Sequence, residues 1–100
     1  MLHIIVEKKF ENMEFAIHPN DGEDLDLYTR DNTMNVFAGQ SIDKLNKGEG
    51  GLGECEFHLL NECKVGNLMV SDALLAKLNF SEEAVIIRSK DKVYLAYREL

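Results

Sequence analysis

The sequence predicts an α+β fold, a mainly antiparallel sheet with one or two short helices in a single domain spanning residues 1–100. Three observations carry this. Apolar residues alternate with period two at Leu2, Ile4 and Val6 and again at Cys55, Phe57 and Leu59, which is the pattern of half-buried strands. Ser71 stands before an apolar stripe at Leu74, Leu75 and Leu78, the arrangement of a capped amphipathic helix. Two further alternating runs, 84–89 and 92–97, flank Lys90-Asp91 as in a terminal β-hairpin.

In chain order, the first strand covers Leu2 to Val6 and a second is expected at Phe15 and Ile17. The stretch His18-Pro19-Asn20-Asp21-Gly22 reads as a loop or hairpin tip, because proline cannot donate to a ladder and Asp-Gly favours tight turns. Leu25 and Leu27, alternating with Asp24, Asp26 and Tyr28, suggest a third, half-exposed strand. Asp31-Asn32 reads as a turn and 34–37 as a short strand. Ser41 can cap a brief helix over 42–47, with Gly48 ending it. Four of the seven glycines fall within 48–53, which is expected to be the most pliable loop. The strand through Cys55, Phe57 and Leu59 follows, with Glu54, Glu56 and His58 on its wet face. The helix after Ser71 is expected over 72–78, ahead of the terminal hairpin.

A chain of 100 residues, 45% apolar and 29% charged, has enough apolar content for one modest core. Without tryptophan and with eight aromatics, that core must lean on aliphatic residues. No apolar run approaches the ~20 residues that span a bilayer. The N-terminus places its charges after a short apolar patch, the reverse of a secretory signal. With only Cys55 and Cys63, free thiols in a reducing, cytoplasmic setting are expected. The net charge of −7 resides in an acidic, β-rich segment, residues 1–60, with twelve acidic and five basic residues; residues 61–100, the strand-helix-hairpin segment, carry six of each. That balance disfavours nucleic acid as a partner, since phosphate binding needs basic side chains.

Site motifs are sparse. Gly48, Gly50 and Gly53 match G-x-G-x-x-G, but dinucleotide binding needs a strand before and a helix after, and the expected order here is reversed. Cys55, His58 and Cys63 offer zinc-type donors, yet an odd spacing on a strand sends Cys55 and His58 to opposite faces, and a structural site wants four ligands. The acids Asp21, Glu23, Asp24, Asp26 and Asp31 lack the register of a calcium loop. No metal, cofactor or catalytic constellation is expected, and the chain reads as non-enzymatic. The five acids are the candidate partner-binding residues.

Residues 64–97 resemble the AbrB/MazE swapped-hairpin antitoxin family. The resemblance rests on Val65-Gly66-Asn67-Leu68-Met69-Val70-Ser71, then Leu74, Leu78-Asn79-Phe80, Val85, Ile87, Val93 and Leu95. It implies a strand, a Gly-Asn turn, a short helix and a hairpin, with two chains forming one barrel that binds DNA through basic residues near the first strand. This chain has Ser71 where the family has proline, and only Lys64 near that strand. The leading expectation is therefore a small regulatory or adaptor protein that binds a basic protein partner through its acidic half, in the extreme case as a phage-type inhibitor. A DNA-binding dimer of the AbrB/MazE kind is the alternative, leaving homodimerisation open, and an unrecognised enzyme is third.

Overall fold

The computed structural model describes residues 1–42 and 50–98. Seven strands carry the fold: β1 (Leu2–Val6), β2 (Glu14–Ile17), β3 (Asp31–Ser41), β4 (Gly51–Leu59), β5 (Asn67–Val70), β6 (Glu83–Ser89) and β7 (Lys92–Arg98). Among the described residues two short helices join them, α1 (Pro19–Glu23) after β2 and α2 (Asp72–Leu75) after β5. The strands close into a barrel in the order β1-β5-β2-β4-β3-β7-β6, with β6 returning to β1.

The sheet is mixed, which corrects the expected antiparallel one. The pairs β1/β5, β2/β4 and β3/β7 are parallel; β1/β6, β2/β5, β3/β4 and β6/β7 are antiparallel. Alternation in a sequence marks a strand and its buried face, but carries no information about which strand lies alongside or in which direction.

The pairing has an internal two-fold logic. β2 and β5 lie side by side, antiparallel, and each has a parallel outer neighbour: β4 beside β2, with Ile17 opposite Leu59, and β1 beside β5, with Val70 opposite Val6. The next hydrogen bond matches too, Leu60 N to Ile17 O at 3.0 Å and Glu7 N to Val70 O at 2.8 Å. Each central strand then runs through a capping residue, His18 or Ser71, into a one-turn helix. The outer strands in turn pair antiparallel with β3 and β6, and β7 closes the gap between those two.

Several local expectations give way. Residues 18–22 form not a hairpin tip but the start of α1, in which His18 Nδ1 accepts from Asn20 N at 3.0 Å and Pro19 occupies the first turn. Proline is well suited there because its missing N–H would have no helical partner. Leu25 and Leu27 lie in a turn and its exit rather than a strand, and Leu27 reaches the core from there. Asp31 and Asn32, expected as a turn, begin β3, which runs to Ser41 instead of spanning 34–37. The helix expected over 42–47 lies, beyond Ile42, outside the described residues, as do Gly48 and Glu49. The rest of the glycine stretch belongs to the barrel: Gly51 to Gly53 open β4, and the ladder to β3 shifts register between Val36 and Phe37. Gly53, at φ 91°, supplies the backbone conformation that such a bulge favours. The helix expected over 72–78 stops at Leu75, yet Leu74 and Leu78 both reach the core.

Phe15, Ile17, Val36, Phe57, Leu68, Val70, Leu74, Val93 and Leu95 fill the barrel. Phe15 and Phe57, register partners on β2 and β4, stack with centroids 4.3 Å apart. α1 packs so tightly that a Cβ on Gly22 would stand 2.8 Å from Leu59 Cδ2. Among the described residues no helix is long and apolar enough to cross a membrane.

Candidate functional site

The barrel wall formed by β2, β4 and β3 turns Phe15, Cys55, Phe57 and Met34 inward, so the alternate residues face outward. On that outer face Glu14 of β2 is the register partner of Glu56 on β4, and Asp31 of β3 is the partner of His58 on β4. Three neighbouring strands thereby converge four polar side chains on one patch.

His58 lies at its centre. Its Nδ1 is 2.8 Å from Asp31 Oδ1 and its Nε2 is 3.1 Å from Glu14 Oε2. The side chains of His58 and Glu14 are 16% and 13% exposed, against 68% for Asp31, so the Glu14 side of the ring is the sheltered one. Phe10 tilts over the imidazole at 5.9 Å between centroids. Glu56, exposed, brings a second carboxylate to the same side: ligand atoms of Glu14, Glu56 and His58 all lie within 4.8 Å of one another. Glu56 also lines a groove of about 620 Å³ with Glu11, Asn12, Thr33 and Glu54.

A neutral imidazole carries one N–H and one lone pair. With a carboxylate at each nitrogen, two states satisfy the ring: an imidazolium donating to both, or a neutral ring that donates Nδ1–H to Asp31 and offers its Nε2 lone pair to a cation shared with Glu14 and Glu56.

The five acids singled out in the sequence separate into distinct settings. Asp21 is half-buried and its Oδ2 accepts from Gly66 N at 2.9 Å, tying α1 to the turn before β5. Glu23, Asp24 and Asp26 are exposed at the end of α1 and in the turn that follows. That turn is braced by Arg88, whose guanidinium donates to the carbonyls of Leu25 and Asp26 at 3.2 and 2.9 Å. Asp31 belongs to the His58 patch instead. Cys55 and Cys63 are both free and buried, Cys55 facing the core behind the strand whose outer face bears His58. Burial pushes the Cys55 thiol up to about 11 and raises that of Cys63 as well.

The grouping of His58 with Glu14 and Asp31 was missed from sequence. These residues stand 44 and 27 positions from His58, and only barrel closure and register bring them together. The one local signal was the i, i+2 spacing of Glu56 and His58 on a common wet face.

Comparison of the chain with family models, with curated proteins and with solved structures finds no match.

Proposed function

We propose that the protein is a non-enzymatic adaptor or regulatory protein that binds a basic protein partner through the α1 turn. The observation that carries this reading is the presentation of Glu23, Asp24 and Asp26. All three are exposed, and none enters an ion pair with another described residue. Their backbone is nevertheless held at both ends, by the Asp21–Gly66 hydrogen bond and by Arg88. A held turn loses less conformational freedom on binding than a loose one, and unpaired carboxylates are free to meet lysine or arginine. Tyr28, 73% exposed close after the turn, adds the amphipathic aromatic surface that interfaces favour.

A second reading is a DNA-binding dimer of the AbrB/MazE kind, which shares the short helix and terminal hairpin with α2, β6 and β7, although here the turn at Gly66 precedes β5 and one chain closes the barrel.

The test follows association with a captured partner at low and high salt, beside a titration with duplex DNA. The triple variant Glu23→Gln, Asp24→Asn, Asp26→Asn should fold with equal or slightly higher stability, because mutual repulsion is removed and asparagine tolerates the positive φ of 54° at position 26. Partner association should slow by about tenfold or more, and added salt should slow the wild type similarly. An association rate indifferent to both changes refutes the acidic-surface reading. DNA binding that weakens steeply with salt favours the second.

A further inference from the structure

We infer that Glu14, Glu56 and His58 form a binding site for a borderline divalent transition-metal ion such as zinc, with Asp31 as the outer carboxylate that orients the imidazole.

Four observations converge. The donors are one imidazole nitrogen and two carboxylates, a mixed N/O set that suits zinc and its neighbours better than the all-oxygen shells of calcium or magnesium. Their ligand atoms lie within 4.8 Å of one another. Donors bound to one ion at about 2.0 to 2.2 Å stand roughly 3 to 4 Å apart, so small side-chain rotations suffice to close the set. Asp31 holds Nδ1 at 2.8 Å, the shorter of the two ring contacts. A proton placed there selects the tautomer whose Nε2 lone pair points at Glu14 and Glu56, the carboxylate–histidine–metal arrangement in which the second carboxylate fixes ring orientation and raises ligand basicity. Finally, the charges match: two carboxylates and a neutral imidazole balance a dication, which would take the place of a proton between Nε2 and the Glu14 carboxylate, 3.1 Å apart.

The scaffold is also suited to the task. Glu14, Glu56 and His58 sit on paired strands in fixed register, and Glu14 is anchored further because its backbone N–H donates to Ser71 Oγ at 3.2 Å. Three protein ligands leave coordination positions open, and Glu56 places them beside the groove lined by Glu11, Asn12, Thr33 and Glu54. Cys55, the thiol expected to compete for a soft ion, faces the opposite side of β4 and is buried. Such a site revises the expectation that the chain holds no metal, and does so with a donor set that shares only His58 with the one rejected from sequence.

The full chain, stripped with a chelator and dialysed, is titrated calorimetrically with zinc, magnesium and calcium, and spectroscopically with cobalt. One equivalent of zinc should bind, and magnesium and calcium should bind at least tenfold more weakly. Cobalt should give visible ligand-field bands without the near-ultraviolet charge transfer of a thiolate ligand. His58→Gln and Glu14→Gln should each weaken zinc by at least tenfold, and Asp31→Asn, which acts only through the ring, by about 10- to 100-fold. Glu82→Gln, exposed and outside both the donor set and the groove, should leave affinity unchanged. Glu56 is exposed, so Glu56→Gln retains the fold and decides the matter even where a half-buried substitution does not. The site is overturned if the wild type binds neither zinc nor cobalt stoichiometrically, if Glu56→Gln binds zinc as the wild type does, or if magnesium and calcium bind equally well. The first of these results would leave His58 as a structural residue, its ring held between Asp31 and Glu14 at 2.8 and 3.1 Å.

Discussion

Cys55 shows how much a single side chain's chemistry depends on where its strand faces. The residue follows Glu54 and precedes Glu56, both exposed, yet is itself only 2% exposed because β4 turns it into the barrel. Burial disfavours the thiolate and raises the thiol from an ordinary 9.0 to about 11. At pH 8 the folded protein therefore holds about a hundredfold less thiolate at this position than the unfolded chain. A disulfide reagent should label Cys55 slowly in the native state and rapidly in denaturant. The linkage has a definite sign: above pH 9 the unfolded chain has released a proton that the folded state retains. The stability present below pH 9 is then lost as pH rises towards 11, by roughly 2 to 3 kcal/mol for this thiol. Denaturant melts of wild type and Cys55→Ala at pH 8 and 10.5 check it; an equal alkaline loss in both shows that Cys55 is not the cause.

At the scale of elements, the one-turn helices are too short to persist alone, and the cap of α2 joins it to the barrel. Ser71 is fully buried, and its Oγ accepts from Leu74 N at 3.1 Å and from Glu14 N at 3.2 Å. One hydroxyl thus caps α2 and satisfies the first residue of β2. Ser71→Ala should cost about 1 to 2 kcal/mol, from the lost cap and an amide left unpaired. The shift in urea midpoint measures this, and Asn12→Ala, on the exposed approach to β2, is the reference for a substitution of little effect. Because Glu14 begins at that same amide, the variant should also weaken zinc at the His58 patch.

Across the whole molecule, the acidic residues 1–60 and the neutral residues 61–100 are not separable units. β5 lies between β1 and β2, while β7 lies against β3 and β6 against β1. Either segment alone leaves strands of the other without neighbours, so unpaired backbone groups and apolar faces would meet water in both fragments. Peptides 1–60 and 61–100 should each lack a cooperative thermal transition by circular dichroism, and the intact chain should unfold in one step by dichroism and tyrosine fluorescence alike. Two separated transitions in the intact chain would show that the segments fold independently. Pairings as distant in sequence as β1 with β5 also put folding in the slow, millisecond-to-second regime of non-local β proteins.

The positions of β1, β2, β4 and the terminal hairpin were legible in the sequence, because each depends on its own alternation of apolar and polar residues, and so was the Ser71 cap, because it depends on neighbouring amides. Residues 18–22 read as a hairpin tip because proline and a capping side chain open a helix as readily as they form a turn. Leu25 and Leu27 read as a strand because a turn exit can deliver a leucine to the core without any ladder. Partners, strand directions and barrel closure are properties of pairs distant in sequence, and the local pattern along one chain does not encode them. For the same reason His58 could be placed on a wet face, whereas only the closed barrel, setting β2 and β3 on either side of β4, could bring Glu14 and Asp31 to its two nitrogens.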